Sequence, residues 1–101
     1  MIKHIVLWKL KDHAEGADLA ANAIKMKAML DGCAGIVPGM GAFDVVIAHP
    51  ALTGSTHDFA LYSEFTDAAA LQAYQEHPTH VAIKPFFGAV VASRACIDYE
   101  I

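Results

Sequence analysis

Basic residues are few and scattered along this chain: seven Lys and Arg stand against eleven Asp and Glu, for a formal net charge of −4. A surface that tracks nucleic-acid phosphates needs clustered Lys and Arg, so the composition argues against nucleic-acid binding. The two cysteines, Cys33 and Cys96, share no CxxC spacing and suggest no disulfide framework. Both read as small buried hydrophobes rather than nucleophiles. No apolar run approaches the ~18 residues of a membrane span. Strand patterning begins almost at Met1, which leaves no room for a signal peptide. A reduced, cytoplasmic setting is therefore expected. HxH and HExxH spacings are absent, so no metal site is expected, although three histidines that converged could hold zinc.

What is abundant is apolar side chain. At 101 residues with 55% hydrophobic content, the chain reads as one domain spanning 1–101, burying roughly two thirds of its unfolded surface. Hydrophobicity this high in so short a chain predicts a second buried face and hence an oligomer. The alternative is that alanine inflates the count.

Ile2 to Lys11 reads as a strand with His4, Val6, Trp8 and Leu10 on one face and Ile5, Leu7, Lys9 and Lys11 on the other. His4 is the polar exception on its face. Asp12 and Glu15 form a capping-box pattern for a helix from about Ala14 to Asp31, with Leu19, Ala23, Met26 and Leu30 on one stripe and Gly32 as the stop. Pro38-Gly39 signals a turn before a strand at 41–48. His49 to His57 reads as a loop, and Asp58 to Phe65 as a strand. Thr66 or Asp67 caps a short helix with Ala70, Leu71 and Tyr74 inward. A second helix, about Pro78 to Val91, follows a break at His77-Pro78, and a last strand runs from Arg94 to Ile101. The order β-α-β-β-α-β is the split βαβ pattern of ferredoxin-like α+β sheets.

The segment Tyr74-Gln75-Glu76-His77-Pro78-Thr79-His80 places a phenol and two imidazoles around a proline break. Proline suits the first turn of the new helix. His80 in that turn meets a helix dipole that disfavours imidazolium, which leaves a neutral ring suited to proton abstraction beside a carbonyl. Tyr74 can then hold the enolate oxygen. Each has a structural alternative: His77 as a cap, His80 bonded to a backbone carbonyl, His4 as a satisfied buried histidine, Tyr74 as core. Asp98 can orient a histidine, but strand parity alone leaves its face open. Val6, Trp8, Met26, Phe59 and Leu61 offer an apolar wall for a small ligand, with His77 beside them.

Together, Ile2-Lys3-His4-Ile5-Val6-Leu7, Ile36-Val37-Pro38-Gly39, Leu61-Tyr62-Ser63-Glu64-Phe65, Tyr74-x-x-His77-Pro78-x-His80 and Asp98-Tyr99-Glu100 resemble the stress-responsive dimeric α/β-barrel (Dabb) family over nearly the whole chain. The resemblance implies a ferredoxin-like protomer that pairs into a dimeric α/β barrel. Its olivetolic acid cyclase branch closes a linear polyketide into an aromatic ring by an aldol step without a cofactor. By motif position the acid–base pair of that branch falls on Tyr74 and His80 and its strand-one histidine on His4, while a further pocket histidine falls on Phe59. Two functions follow as expectations: a cofactor-free cyclase, isomerase or oxygenase-like enzyme for a small apolar carbonyl compound, with His80, Tyr74 and His4 catalytic, or a non-catalytic stress-responsive or ligand-binding homodimer.

Overall fold

Strand β1 (Ile2–Leu10) lies inside a four-stranded antiparallel sheet, and the remaining elements are positioned by what pairs with it or packs on it. The computed structural model describes residues 1–101. After β1 come the two-residue strands β2 (His13–Ala14) and β3 (Ala17–Asp18), helix α1 (Leu19–Asp31), strands β4 (Met40–Ile47) and β5 (Phe59–Phe65), helices α2 (Ala68–Glu76) and α3 (Pro78–Val90), and strand β6 (Val91–Glu100). The sheet order is β4-β5-β1-β6, the ferredoxin-like α+β arrangement that the element order predicts. No helix is long and apolar enough to cross a membrane.

Alternation fixes the two faces. Along β5, Phe59, Leu61, Ser63 and Phe65 are buried and the residues between them are half-buried. Their partners on β1 are Trp8, Val6, His4 and Ile2. The helices cover this face. Trp8 packs edge-on against Phe59 and Phe87, with ring centroids 5.4 and 5.7 Å apart, and Phe65 and Phe43 flank Tyr74 at 5.3 and 5.7 Å. Such edge-to-face contacts add to the gain from burial. The opposite face carries Leu7, Val46, Ile97 and Tyr99, all exposed in the isolated protomer. Beside them, Lys3 bonds both Glu64 and the Tyr62 hydroxyl.

The first helix starts later than the capping-box pattern predicts. Glu15 and Gly16 take φ of 52° and 76°, so Ala14 to Ala17 closes as a tight hairpin rather than a helical turn. Asp18, not Asp12, is the cap, accepting from the Ala21 N–H at 2.9 Å. Buried Asn22 locks the hairpin onto α1 by donating to the Ala14 carbonyl at 3.0 Å. His13 belongs to the first strand of this hairpin. The Pro38-Gly39 turn forms as predicted: at φ +88° a Cβ on Gly39 would lie 2.6 Å from the Thr66 hydroxyl, so only glycine fits against the start of α2. Asp67 caps that helix. Strand β6 begins at Val91, three residues earlier than Arg94, because β1 pairs with it from Leu10 onward. Cys33 is buried as expected, but Cys96 lies exposed on the sheet's edge strand.

If Asp18 is the cap, Asp18→Ala lowers unfolding stability by about 1 kcal/mol, whereas Asp12→Ala stays within about 0.5 kcal/mol of the parent. Urea denaturation of the two variants checks the assignment, and the reverse order would restore the earlier helix start.

Candidate active site

The break between α2 and α3 is built by one residue that serves both helices. His77 has β-region backbone angles, its N–H closes α2 onto the Tyr74 carbonyl, and its ring Nδ1 accepts from the Thr79 N–H at 3.1 Å to cap α3. Pro78 follows at the first position of α3, where no N–H is needed. The turn brings His80 back beside Tyr74, ring centroids 4.5 Å apart.

Between α3 and the β1/β6 part of the sheet lies an open cavity of about 440 Å³, within the range of small-molecule sites. Its apolar lining comes chiefly from Val6, Trp8, Leu30, Leu61, Ile83 and Phe87, and its polar groups are His4, Tyr74, Gln75, His80, Lys84 and Arg94. The three residues named as catalytic from the sequence, His4, Tyr74 and His80, thus line one space. Val6, Trp8 and Leu61 of the expected apolar wall line it too. Met26 and Phe59 do not: both are buried in the core, Phe59 beneath Trp8 and Phe87. His77 lies outside the lining because its ring is committed to the cap.

His4 is buried at 3% exposure and has a partner that parity alone left open. In the β1/β6 register Asp98 stands directly opposite, and its carboxylate accepts from His4 Nδ1. The Ser63 hydroxyl donates to the His4 carbonyl at 2.8 Å, tying β5 to the same residue. A carboxylate on Nδ1 fixes the proton there and leaves Nε2 as the basic atom. His80 is arranged alike, with Nδ1 donating to the Gln75 carbonyl at 3.1 Å. Burial, more than the neighbouring cations Lys84 and Arg94, lowers the His80 pKa below its ordinary value. The ring is thus held neutral, as the sequence predicts, with desolvation as the leading cause.

Tyr74 completes the group. Its ring is 1% exposed and its hydroxyl is the one buried side-chain polar atom without a hydrogen-bond partner. Burial, with a lesser contribution from Cys33, pushes its pKa well above the usual tyrosine range, so it remains a proton donor. Cys96 Sγ lies 3.8 Å from His4 Nδ1. Partial desolvation and then Asp98 raise its pKa, which disfavours the thiolate a nucleophile needs. His4, His77 and His80 do not converge as metal ligands. A different set, His4 Nδ1, Cys96 Sγ and an Asp98 oxygen, lies within 4.8 Å, with the thiol and the carboxylate both addressing one nitrogen.

Sequence reading missed Lys84 and Arg94. Lys84 was legible, since His80, Ile83, Lys84, Phe87 and Gly88 follow helical spacing and all line the cavity. Arg94 required the register that sets it opposite Trp8.

A folded-state pKa of His80 below 6.5 means that the unfolded chain binds the proton more readily, so the contribution of this group to stability rises with pH and is lost as pH falls below about 6.5. Urea unfolding at pH 7 and pH 5 should show the parent losing more stability on acidification than His80→Gln. Equal losses would contradict a desolvated His80.

A model of the "Stress responsive A/B Barrel Domain" family matches residues 2–101. A dimeric protein of unknown function and ferredoxin-like fold from Bacteroides fragilis is 30% identical, with 99% of this chain and 95% of that chain covered and a TM-score of 0.82. A Dabb family protein from Mesorhizobium loti is 25% identical over 99% and 95% of the two chains, with a TM-score of 0.70. A dimeric ferredoxin-like protein of unknown function from Thermobifida fusca shares the fold at 20% identity and a TM-score of 0.83, over 99% of this chain and 90% of that one. No protein of curated function matches. By its sequence match from β1 to the C-terminal residue, the chain belongs to the stress responsive A/B barrel domain, or Dabb, family.

Proposed function

We propose that this protein is a homodimeric, cofactor-free acid–base catalyst of the cyclase or isomerase kind, acting on a small, mostly apolar carbonyl compound. The observation that carries the reading is a cavity lined by Tyr74 and by two imidazoles whose Nδ1 atoms are already engaged, with the Tyr74 hydroxyl buried and unpartnered. Leaving a buried hydroxyl unsatisfied costs about 1–3 kcal/mol. A ligand oxygen that accepts its proton relieves that cost, and relieves it most when the oxygen carries developing charge.

In this reading the substrate carbonyl oxygen accepts from Tyr74. His80 Nε2 removes the proton from the adjacent carbon, and the electron pair moves to the oxygen as an enolate. The enolate carbon then attacks a second carbonyl, in cyclisation, or is reprotonated elsewhere, in isomerisation. His4, oriented by Asp98, is the second acid–base group. The likeness of Tyr74, His80 and His4 to the olivetolic acid cyclase motif supports the cyclase form. Phe59, where that branch has a histidine, lies outside the cavity lining and favours a different substrate.

Hydrogen–deuterium exchange at the carbon next to the carbonyl of 4-phenyl-2-butanone, followed by NMR in D₂O, tests the chemistry. The parent should exceed buffer. Tyr74→Phe and His80→Gln should each lower the excess rate by roughly 10²-fold or more, and His49→Ala, exposed in the loop before β5, should leave it intact. No exchange above buffer while the ketone is bound would favour a non-catalytic ligand-binding dimer.

The homodimer rests on the uncovered sheet face, where Ile97 is 58% exposed, and on relatives described as dimeric. Sedimentation equilibrium should give twice the chain mass for the parent and the single-chain mass for Ile97→Asp, whose side chain touches no protomer core. A monomeric parent at micromolar concentration would refute it.

A further inference from the structure

The catalytic trio and the apolar lining leave two cavity residues without a task, and both are cations: Lys84 on α3 and Arg94 on β6, which face the space from opposite walls. Neither is paired. The ion pairs of the chain are Lys3 with Glu64, His4 with Asp98, and Lys27 with Asp31. In a chain of net charge −4 with seven basic residues, two unpaired cations at one apolar cavity form a local reversal of sign. Both are near enough to His80 to oppose its protonation.

We infer that the ligand of this cavity carries an anionic end group, a carboxylate or a phosphate, bound between Lys84 and Arg94, with its apolar body directed toward Tyr74 and the two histidines. The inference rests on the reading of the cavity as a ligand site and names its substrate class. Helix rise puts Lys84 about 6 Å beyond His80. Arg94 stands opposite Trp8, four residues along β1 from His4, or about 13 Å at strand rise. The anion therefore sits several bonds from the reacting carbons. That spacing favours a longer acid or a phosphorylated carrier over a simple 2-oxo or 3-oxo acid, whose carboxylate would lie at the histidines. Arg supplies a planar fork for two oxygens and Lys a point charge, a combination suited to either head. The apolar body fits Val6, Leu61, Ile83 and Phe87.

Trp8, the single tryptophan, lines the cavity and reports occupancy directly. Quenching of its fluorescence can be titrated at pH 8 and low salt with 4-butylbenzoate, 4-butylphenyl phosphate and uncharged 4-butylbenzyl alcohol. At least one anion should bind roughly tenfold or more tightly than the alcohol, the yield of a charge-assisted hydrogen bond, and which anion leads identifies the head. The preference should shrink with added salt, shrink severalfold in Lys84→Ala and in Arg94→Ala, and vanish in the double variant. Because the readout is a ratio of affinities, a partly unfolded variant does not mimic the result. Equal binding of alcohol and both anions overturns the inference while leaving the cavity reading intact. No quenching by any of the three overturns the cavity reading itself.

Discussion

The hydrogen-bonded pair of His4 and Asp98 across β1 and β6 is the constraint on which the rest of this site depends. A histidine 3% exposed within an apolar sheet face is tolerable only with its ring N–H satisfied. Asp98 does this from the one position on β6 that lies directly across from it. A slip of one residue would turn His4 to the far face and bring Lys3 or Ile5 to the helices. The same register sets Cys96 opposite Val6 and Arg94 opposite Trp8, so one pairing positions His4, the carboxylate that orients it and a cation of the cavity wall.

The second constraint comes from the other side of the cavity. His77 ends α2 and caps α3 with one ring, and Pro78 makes the change of direction compulsory. That turn allows Tyr74, at the end of one helix, and His80, in the first turn of the next, to stack 4.5 Å apart. Sheet and break thus converge on a phenol held in its protonated form by burial. The hydroxyl contributes no hydrogen bond to the fold, so packing alone would be served as well by phenylalanine at this position.

Much of this was legible in the residues. Strand alternation put His4, Val6 and Trp8 on one face, and the His-Pro-x-His break marked the turn that brings His80 beside Tyr74, although the His77 ring caps α3 instead of facing the cavity. What was hidden is non-local. The faces of Asp98 and Arg94 depend on pairing across more than eighty residues. Met26 and Phe59 read as wall from their apolar character, but whether an apolar side chain lines a cavity or fills the core depends on how far the opposing helix stands off. The early helix start failed for a local reason: Asp12 and Glu15 satisfy a capping pattern, yet Glu15-Gly16 at positive φ makes a hairpin that Asn22 then stabilises. Lys84 was readable from helical spacing, and went unseen because a lone lysine on a helix is ordinarily a solvated charge.

The central claim is that both imidazoles have their protons fixed on Nδ1 by the fold, presenting Nε2 as the basic atom beside Tyr74. Long-range ¹H–¹⁵N correlation NMR of protein labelled with ¹⁵N-histidine, at pH 8, observes this directly. The account predicts the Nδ1–H tautomer for His4 and His80, with His4 losing that preference in Asp98→Ala. Nε2–H tautomers at both positions in the parent protein would contradict it.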